Sequence, residues 1–186
     1  MNRTISNLIM KSAILSLGAA TFGLTSCQTN SKPDGKLKPI TSQVDLKRFM
    51  GDWYVIGNIP NFLETEAYNA KESYELADDG TIPTTFTFNK GGFEGPLKTY
   101  NPKGFIHNEE TNAEWRMQFI WPFKADYLIT YLSPDYQTTI IGVPSRKYAW
   151  IMARTKTISN ETYDGLVAEL KRQGHDISKL RKVPQR

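Results

Sequence analysis

The chain has 186 residues, a formal charge of +4 and a single cysteine. Without Arg3 and Lys11, which belong to an N-terminal segment free of acidic residues, the balance falls close to neutral, and no basic stripe stands out, so nucleic acid is excluded as a partner. One cysteine allows no internal disulfide, so stability has to come from packing.

In chain order, the first element is the apolar stretch from Ala13 to Ala20 behind Arg3 and Lys11. A basic head, a short apolar middle and small residues before a boundary make a secretory signal. The stretch is shorter than the ~20 apolar residues that cross a bilayer. Leu24-Thr25-Ser26-Cys27 resembles the lipobox of bacterial lipoproteins. That resemblance implies removal of residues 1–26, acylation of Cys27 and membrane anchoring; Gln28 in place of Asp implies the outer membrane, at its periplasmic face. Residues 27–44 are polar and carry Pro33, Gly35 and Pro39, so they read as a flexible tether. Residues 45–186 have the size of one domain.

Within that domain, short β runs recur: Trp53–Ile56, Tyr68–Leu76, Thr84–Phe88, Trp115–Phe119, Tyr127–Leu132, Thr138–Val143 and Tyr148–Arg154. Turn signals such as Asp78-Asp79-Gly80, Trp121-Pro122 and Ser133-Pro134-Asp135 separate them. The spacing predicts an all-β antiparallel meander, hence a barrel or a sandwich. One helix follows. Ser159 caps it, Tyr163, Leu166, Val167 and Leu170 share a face, and Gly174 stops it. Ala149, Ile151 and Ala153 offer that helix a slim strand face, with Tyr148, Trp150 and Met152 on the other side.

Gly51-Asp52-Trp53-Tyr54, the turn Ser133-Pro134-Asp135-Tyr136 and Arg154 ahead of the helix together resemble, in order and spacing, the three signatures of lipocalins. With the lipobox, the subgroup resembled is the bacterial lipocalin lipoproteins, similar to apolipoprotein D. The resemblance implies an eight-stranded up-and-down barrel with the C-terminal helix packed outside. It implies structural roles for Gly51, Trp53, Asp135, Tyr136 and Arg154, with the indole plugging the closed end and the guanidinium stacked across it.

The expected functional surface is the barrel interior, since eight strands leave room for about one small ligand. Counting alternate residues from Trp53 and Arg154 puts Val55, Gly57, Trp150 and Met152 inside. The same parity, set against the family's strands, puts Tyr127, Ile129, Tyr131, Ile140 and Gly142 inside. Phe86, Phe88, Trp115, Met117 and Phe119 are the apolar faces of their strands. Either these side chains fill the barrel or they line a cavity, and the resemblance favours a cavity. Phe62 and Leu63 line the mouth or anchor its loop.

The function implied is binding, storage or transport of a hydrophobic ligand, a fatty acid or a lysophospholipid, with the membrane as partner through Cys27 and pairing of two copies left open. The alternatives are a lipocalin-fold enzyme and a structural envelope protein with a filled barrel. His107 and His175 have no evident acid–base partner, and no metal-ligand spacing is present, so no catalytic residue, metal or cofactor is expected.

Overall fold

The computed structural model describes residues 35–62 and 64–186. The signal segment, Cys27, the first part of the tether and Leu63 lie outside the described residues.

The strands are β1 (Gly51–Ile59), β2 (Ala67–Tyr74), β3 (Thr81–Lys90), β4 (Leu97–Tyr100), β5 (Lys103–Asn108), β6 (Glu114–Ile120), β7 (Phe123–Leu132), β8 (Thr138–Gly142) and β9 (Ala149–Ala153). All pairings are antiparallel, and β9 returns to β1, which closes the barrel. The strands β4 and β5 both pair with β3 and are two halves of one staved position, broken at Asn101-Pro102. Counted that way, the barrel has eight staves. A two-residue β10 (Arg181–Lys182) adds to β1 beyond its pairing with β2.

Ahead of the barrel sits α1 (Leu46–Phe49), a single turn capped by the Asp45 carboxylate, which accepts from the Arg48 N–H. Its purpose is positional: it delivers Phe49 into the core with no exposure. The helix α2 (Asn160–Arg172) starts at Ser159, whose side chain accepts from Thr162 N–H, and ends before Gly174 at φ 84°. Leu166 and Leu170 bury against Ile56, Ile59, Ala149, Ile151 and Ala153 on the outer wall. Slim alanines let the helix lie close, and each fully buried aliphatic side chain contributes roughly 1.5–3 kcal/mol.

The expected tether over 27–44 is corrected for its second half. Leu37 and Val44 are buried, and the chain is pinned by Leu37 N–H to Pro144 O, Ile40 N–H to Ile129 O and Val44 N–H to Thr111 O. Apolar side chains recurring in a polar segment, each with a backbone bond beside it, make this an extended arm on the barrel rather than a free linker.

Candidate functional site

The closed end is an aromatic plug. Phe49, Trp53, Tyr74 and Trp115 are all buried, with Phe49 at 5.1 Å from Trp53 and 5.4 Å from Trp115 between ring centroids. Trp53 donates its indole N–H to Phe49 O at 2.8 Å. The Arg154 guanidinium stacks over the Trp53 ring at 3.8 Å and donates to the carbonyls of Asp52, Arg48 and Phe49. Arg154 is half-buried, so a cation–π contact of this kind contributes on the order of 1 kcal/mol. Gly51 sits at φ 92°, where a side chain is strained, and a Cβ there would lie 3.5 Å from Arg154 Nη1. Asp135 accepts from the Ser133 hydroxyl and the Gln137 N–H, which fixes the turn, and the Tyr136 hydroxyl accepts from Asp45 N–H at 2.9 Å.

Above the plug lies a polar layer. The Tyr127 ring stacks on Trp115 at 5.5 Å, and the two hydroxyls of Tyr127 and Tyr74 meet in a short hydrogen bond. Tyr74 donates to Glu72 Oε2, so its own proton is committed and Tyr127 is the donor between the phenols. Burial pushes Glu72 up to about 7, against the lowering effect of the Tyr74 hydrogen bond. It also drives both phenols well above their ordinary range. A second carboxylate, Glu64, accepts from Trp150 Nε1 at 2.6 Å, Asn61 Nδ2 at 2.7 Å and Asn58 Nδ2 at 3.1 Å. Burial raises its pKa too, and those three donors oppose the rise.

Between this layer and solvent is a cavity of about 330 Å³. Of the interior residues expected from the sequence, Phe86, Met117, Phe119, Tyr127 and Trp150 line it. Val55, Phe88, Trp115, Ile129 and Met152 are buried in the same core, around and beneath the cavity rather than on its wall. Phe62 stands at the mouth, 83% exposed. The rim continues through the β6–β7 hairpin, where Ile120, Trp121 and Phe123 are exposed.

Four expected interior residues face outward. The ladder between β1 and β9 shifts register between Val55 and Gly57, so Gly57 pairs with Ile151 and points at the helix: a Cβ there would meet Tyr163 Oη at 3.1 Å. A second shift, between Ile129 and Tyr131, sends Tyr131 and Ile140 into the helix-side cluster and leaves Ile141 inside. Gly142 follows, facing the Leu37 side chain of the arm. A bulge puts two residues opposite one, and every side chain beyond it changes face. Sequence reasoning missed Glu64, Glu72 and Tyr74. The signal for Glu72 was present: it shares a strand face with Ala70 and Tyr74, while Asn69, Lys71 and Ser73 take the other.

Comparison with known proteins agrees with this architecture. A family model described as a lipocalin-like domain matches residues 44–185. The chain is 36% identical to temperature-induced lipocalin-1 of Arabidopsis thaliana, over 78% of this chain and 82% of that protein. It is 29% identical to the outer membrane lipoprotein Blc of Escherichia coli K12, over 92% of this chain and 96% of that protein. Among solved structures, insecticyanin from the tobacco hornworm Manduca sexta superposes with a TM-score of 0.62 at 18% identity, covering 82% of this chain and 85% of that one, a likeness of fold alone. The chain belongs to the lipocalin-like family, whose members typically bind small hydrophobic ligands.

Proposed function

We propose that this chain is a lipid-anchored binding protein of the outer membrane, periplasmic face, holding the hydrocarbon chain of a single-chain amphiphile, a fatty acid or a lysophospholipid, in its barrel. The observation that carries the reading is the cavity of about 330 Å³ walled by Phe86, Met117, Phe119 and Trp150. Its volume falls within the ~300–1,000 Å³ of small-molecule sites. Burial there stabilises a bound chain by ~0.8 kcal/mol per methylene. The exposed residues Phe62, Ile120, Trp121 and Phe123 extend an apolar path from the rim inward. Binding rather than catalysis is the reading, in keeping with a family of binding and transport proteins. The anchor and location rest on Leu24-Thr25-Ser26-Cys27, on Gln28, and on the likeness to a protein named as an outer membrane lipoprotein. Two or more acyl chains on Cys27 suffice for stable attachment.

The test is a titration of the mature protein with fatty acids and lysophospholipids of graded chain length, followed by indole fluorescence, to which Trp150 on the cavity wall contributes. Saturable binding is expected to weaken roughly fourfold for each methylene removed. A flat signal across the series would leave a structural protein. In cells, Cys27→Ala is expected to move the protein out of the membrane fraction while binding in vitro is unchanged; retention in washed membranes would remove the anchor from the reading.

A further inference from the structure

The cavity carries a buried carboxylate where an acyl tail would end and a mainly apolar rim where a head group would wait. Phe62, Phe119 and Ile120 line the rim beside Asn61 and Asp126, Trp121 and Phe123 are exposed on the adjoining hairpin, and Glu72, 8% exposed, stands at the floor. The residues paired across from Glu72 are Trp53 on β1 and Phe86 on β3, so the walls give the carboxylate no charge partner. Among the described residues, no lysine, arginine or histidine forms an ion pair with Glu72 or Glu64. Glu64 is satisfied by the N–H groups of Trp150, Asn58 and Asn61. Glu72 has phenols instead, with Tyr74 donating to it and Tyr127 behind. A buried carboxylate held without a cation is costly, and a hydrocarbon end pressed against it takes away water and returns nothing. Above pH 7 a carboxylate end sets a second negative charge beside that of Glu72. A hydroxyl or an ammonium donates a hydrogen bond to it.

We propose that Glu72, backed by Tyr74 and Tyr127, is a head-group subsite that takes the hydroxyl or ammonium end of a single-chain amphiphile and rejects a carboxylate end. The ligand then lies head-inward, its chain running past Phe86, Met117 and Trp150 to the apolar rim. This rests on the binding function proposed above and narrows it: fatty acids, whose carboxylate has the wrong sign for the floor, enter tail-first and bind more weakly than an alcohol or amine of equal length.

The groups that face the floor and titrate are few. Glu64 lines the cavity from the β1–β2 loop, and Asp126 stands at the wall with its carboxylate on Arg116 at 3.2 Å. Tyr74 and Tyr127 stay protonated through neutral pH, and Arg154 lies on the far side of the plug, over Trp53. Glu72 itself changes charge near pH 7, so the subsite's preference is sensitive to pH.

The experiment compares decanol, decylamine and decanoate on the mature protein by indole fluorescence, for the wild type and Glu72→Gln. At about pH 8.5 the wild type is expected to bind decanol and decylamine about tenfold more tightly than decanoate, the size of one hydrogen bond to a charged group. Glu72→Gln replaces a charged acceptor by a neutral one, so it is expected to weaken decanol about threefold and decylamine about tenfold and to erase most of the discrimination against decanoate. Lowering the pH of the wild type to about 6 is expected to act in the same direction, because Glu72 then takes up its proton. Equal affinity of the wild type for all three ligands at the higher pH overturns the subsite and leaves the binding function standing. Binding of none of the three overturns the subsite, and the binding function falls with it only if the long-chain members of the graded series fail to bind as well. Should Glu72→Gln fail to fold, the wild-type series decides: discrimination that is the same at both pH values overturns the proposal.

Discussion

At the scale of single residues, the floor carboxylate links the site to the stability of the barrel. Burial holds Glu72 up to about 7, against 4.5 for the free side chain. A carboxyl raised by folding binds more protons in the native state, so its contribution is fully present below pH 4.5 and is lost as pH rises through 7. The loss amounts to about 3 kcal/mol, an order-of-magnitude figure set by the size of the shift. Glu64 acts in the same direction, since burial raises it as well. Glu72→Gln is therefore expected to flatten the fall of the urea midpoint between about pH 5 and 8 and to leave the variant more stable than the wild type at the upper end. Identical pH profiles for the two proteins would mean that Glu72 is solvated in the native barrel. A lone Glu in a strand of mixed composition reads as a solvent-facing residue until its flanking Ala70 and Tyr74 are taken together. That is why a residue so central was passed over, while Trp53 and Arg154, each inside a recognisable motif, were placed at the closed end from the sequence; they stack there at 3.8 Å.

At the scale of elements, periodicity carried the reading as far as the strands stayed regular. The helix was legible from its cap at Ser159, its face and its stop at Gly174, all local features that the final structure keeps. Seven of the strands were legible from β runs between turn signals. The stave made of β4 and β5 was not, because Asn101-Pro102 splits it and Leu97–Tyr100 has little apolar character. Nor were the bulges, since an extra residue leaves no mark in the alternation until the partner strand is known. Gly57 shows the consequence. Its Cβ would lie 3.1 Å from Tyr163 Oη and 3.2 Å from Arg181 O, both outside the barrel. Gly57→Val is expected to destabilise the domain by roughly 1–3 kcal/mol through crowding of the helix and β10. Ligand titration should be unaffected, because the new methyl groups point away from the cavity. Lost binding at unchanged stability would restore Gly57 to the interior and put the bulge elsewhere.

At the scale of the whole molecule, the barrel is layered along its axis: a cation–π plug, a sheet of phenols and carboxylates, an apolar chamber and an apolar rim. The order of the layers follows from which strand positions point inward, so the lipocalin signatures were enough for the plug and the closure, while the polarity of the chamber depended on registers the sequence does not display. Met117 tests the layering as a unit. It is 3% exposed, its sulfur would lie 3.1 Å from a Cβ on Gly104, and it shares the chamber wall with Glu72 and Glu64. In a filled barrel, Met117→Arg buries a cation with no partner, which unfolds a domain of ordinary stability. In the chamber observed, the new guanidinium has about 330 Å³ to enter and two carboxylates on the same wall to meet. Met117→Arg is therefore expected to fold, with an unfolding free energy within ~1 kcal/mol of the wild type, because the cost of placing the cation is offset by the charge partner it gives Glu72. It should bind no amphiphile, since the arginine occupies the chamber. The pairing should also pull Glu72 down from about 7, so the pH dependence of stability seen in the wild type should shrink. A variant that folds, loses ligand and keeps the full pH slope would show that the guanidinium reaches solvent at the mouth instead of the floor. One that unfolds outright would show that the chamber closes in solution.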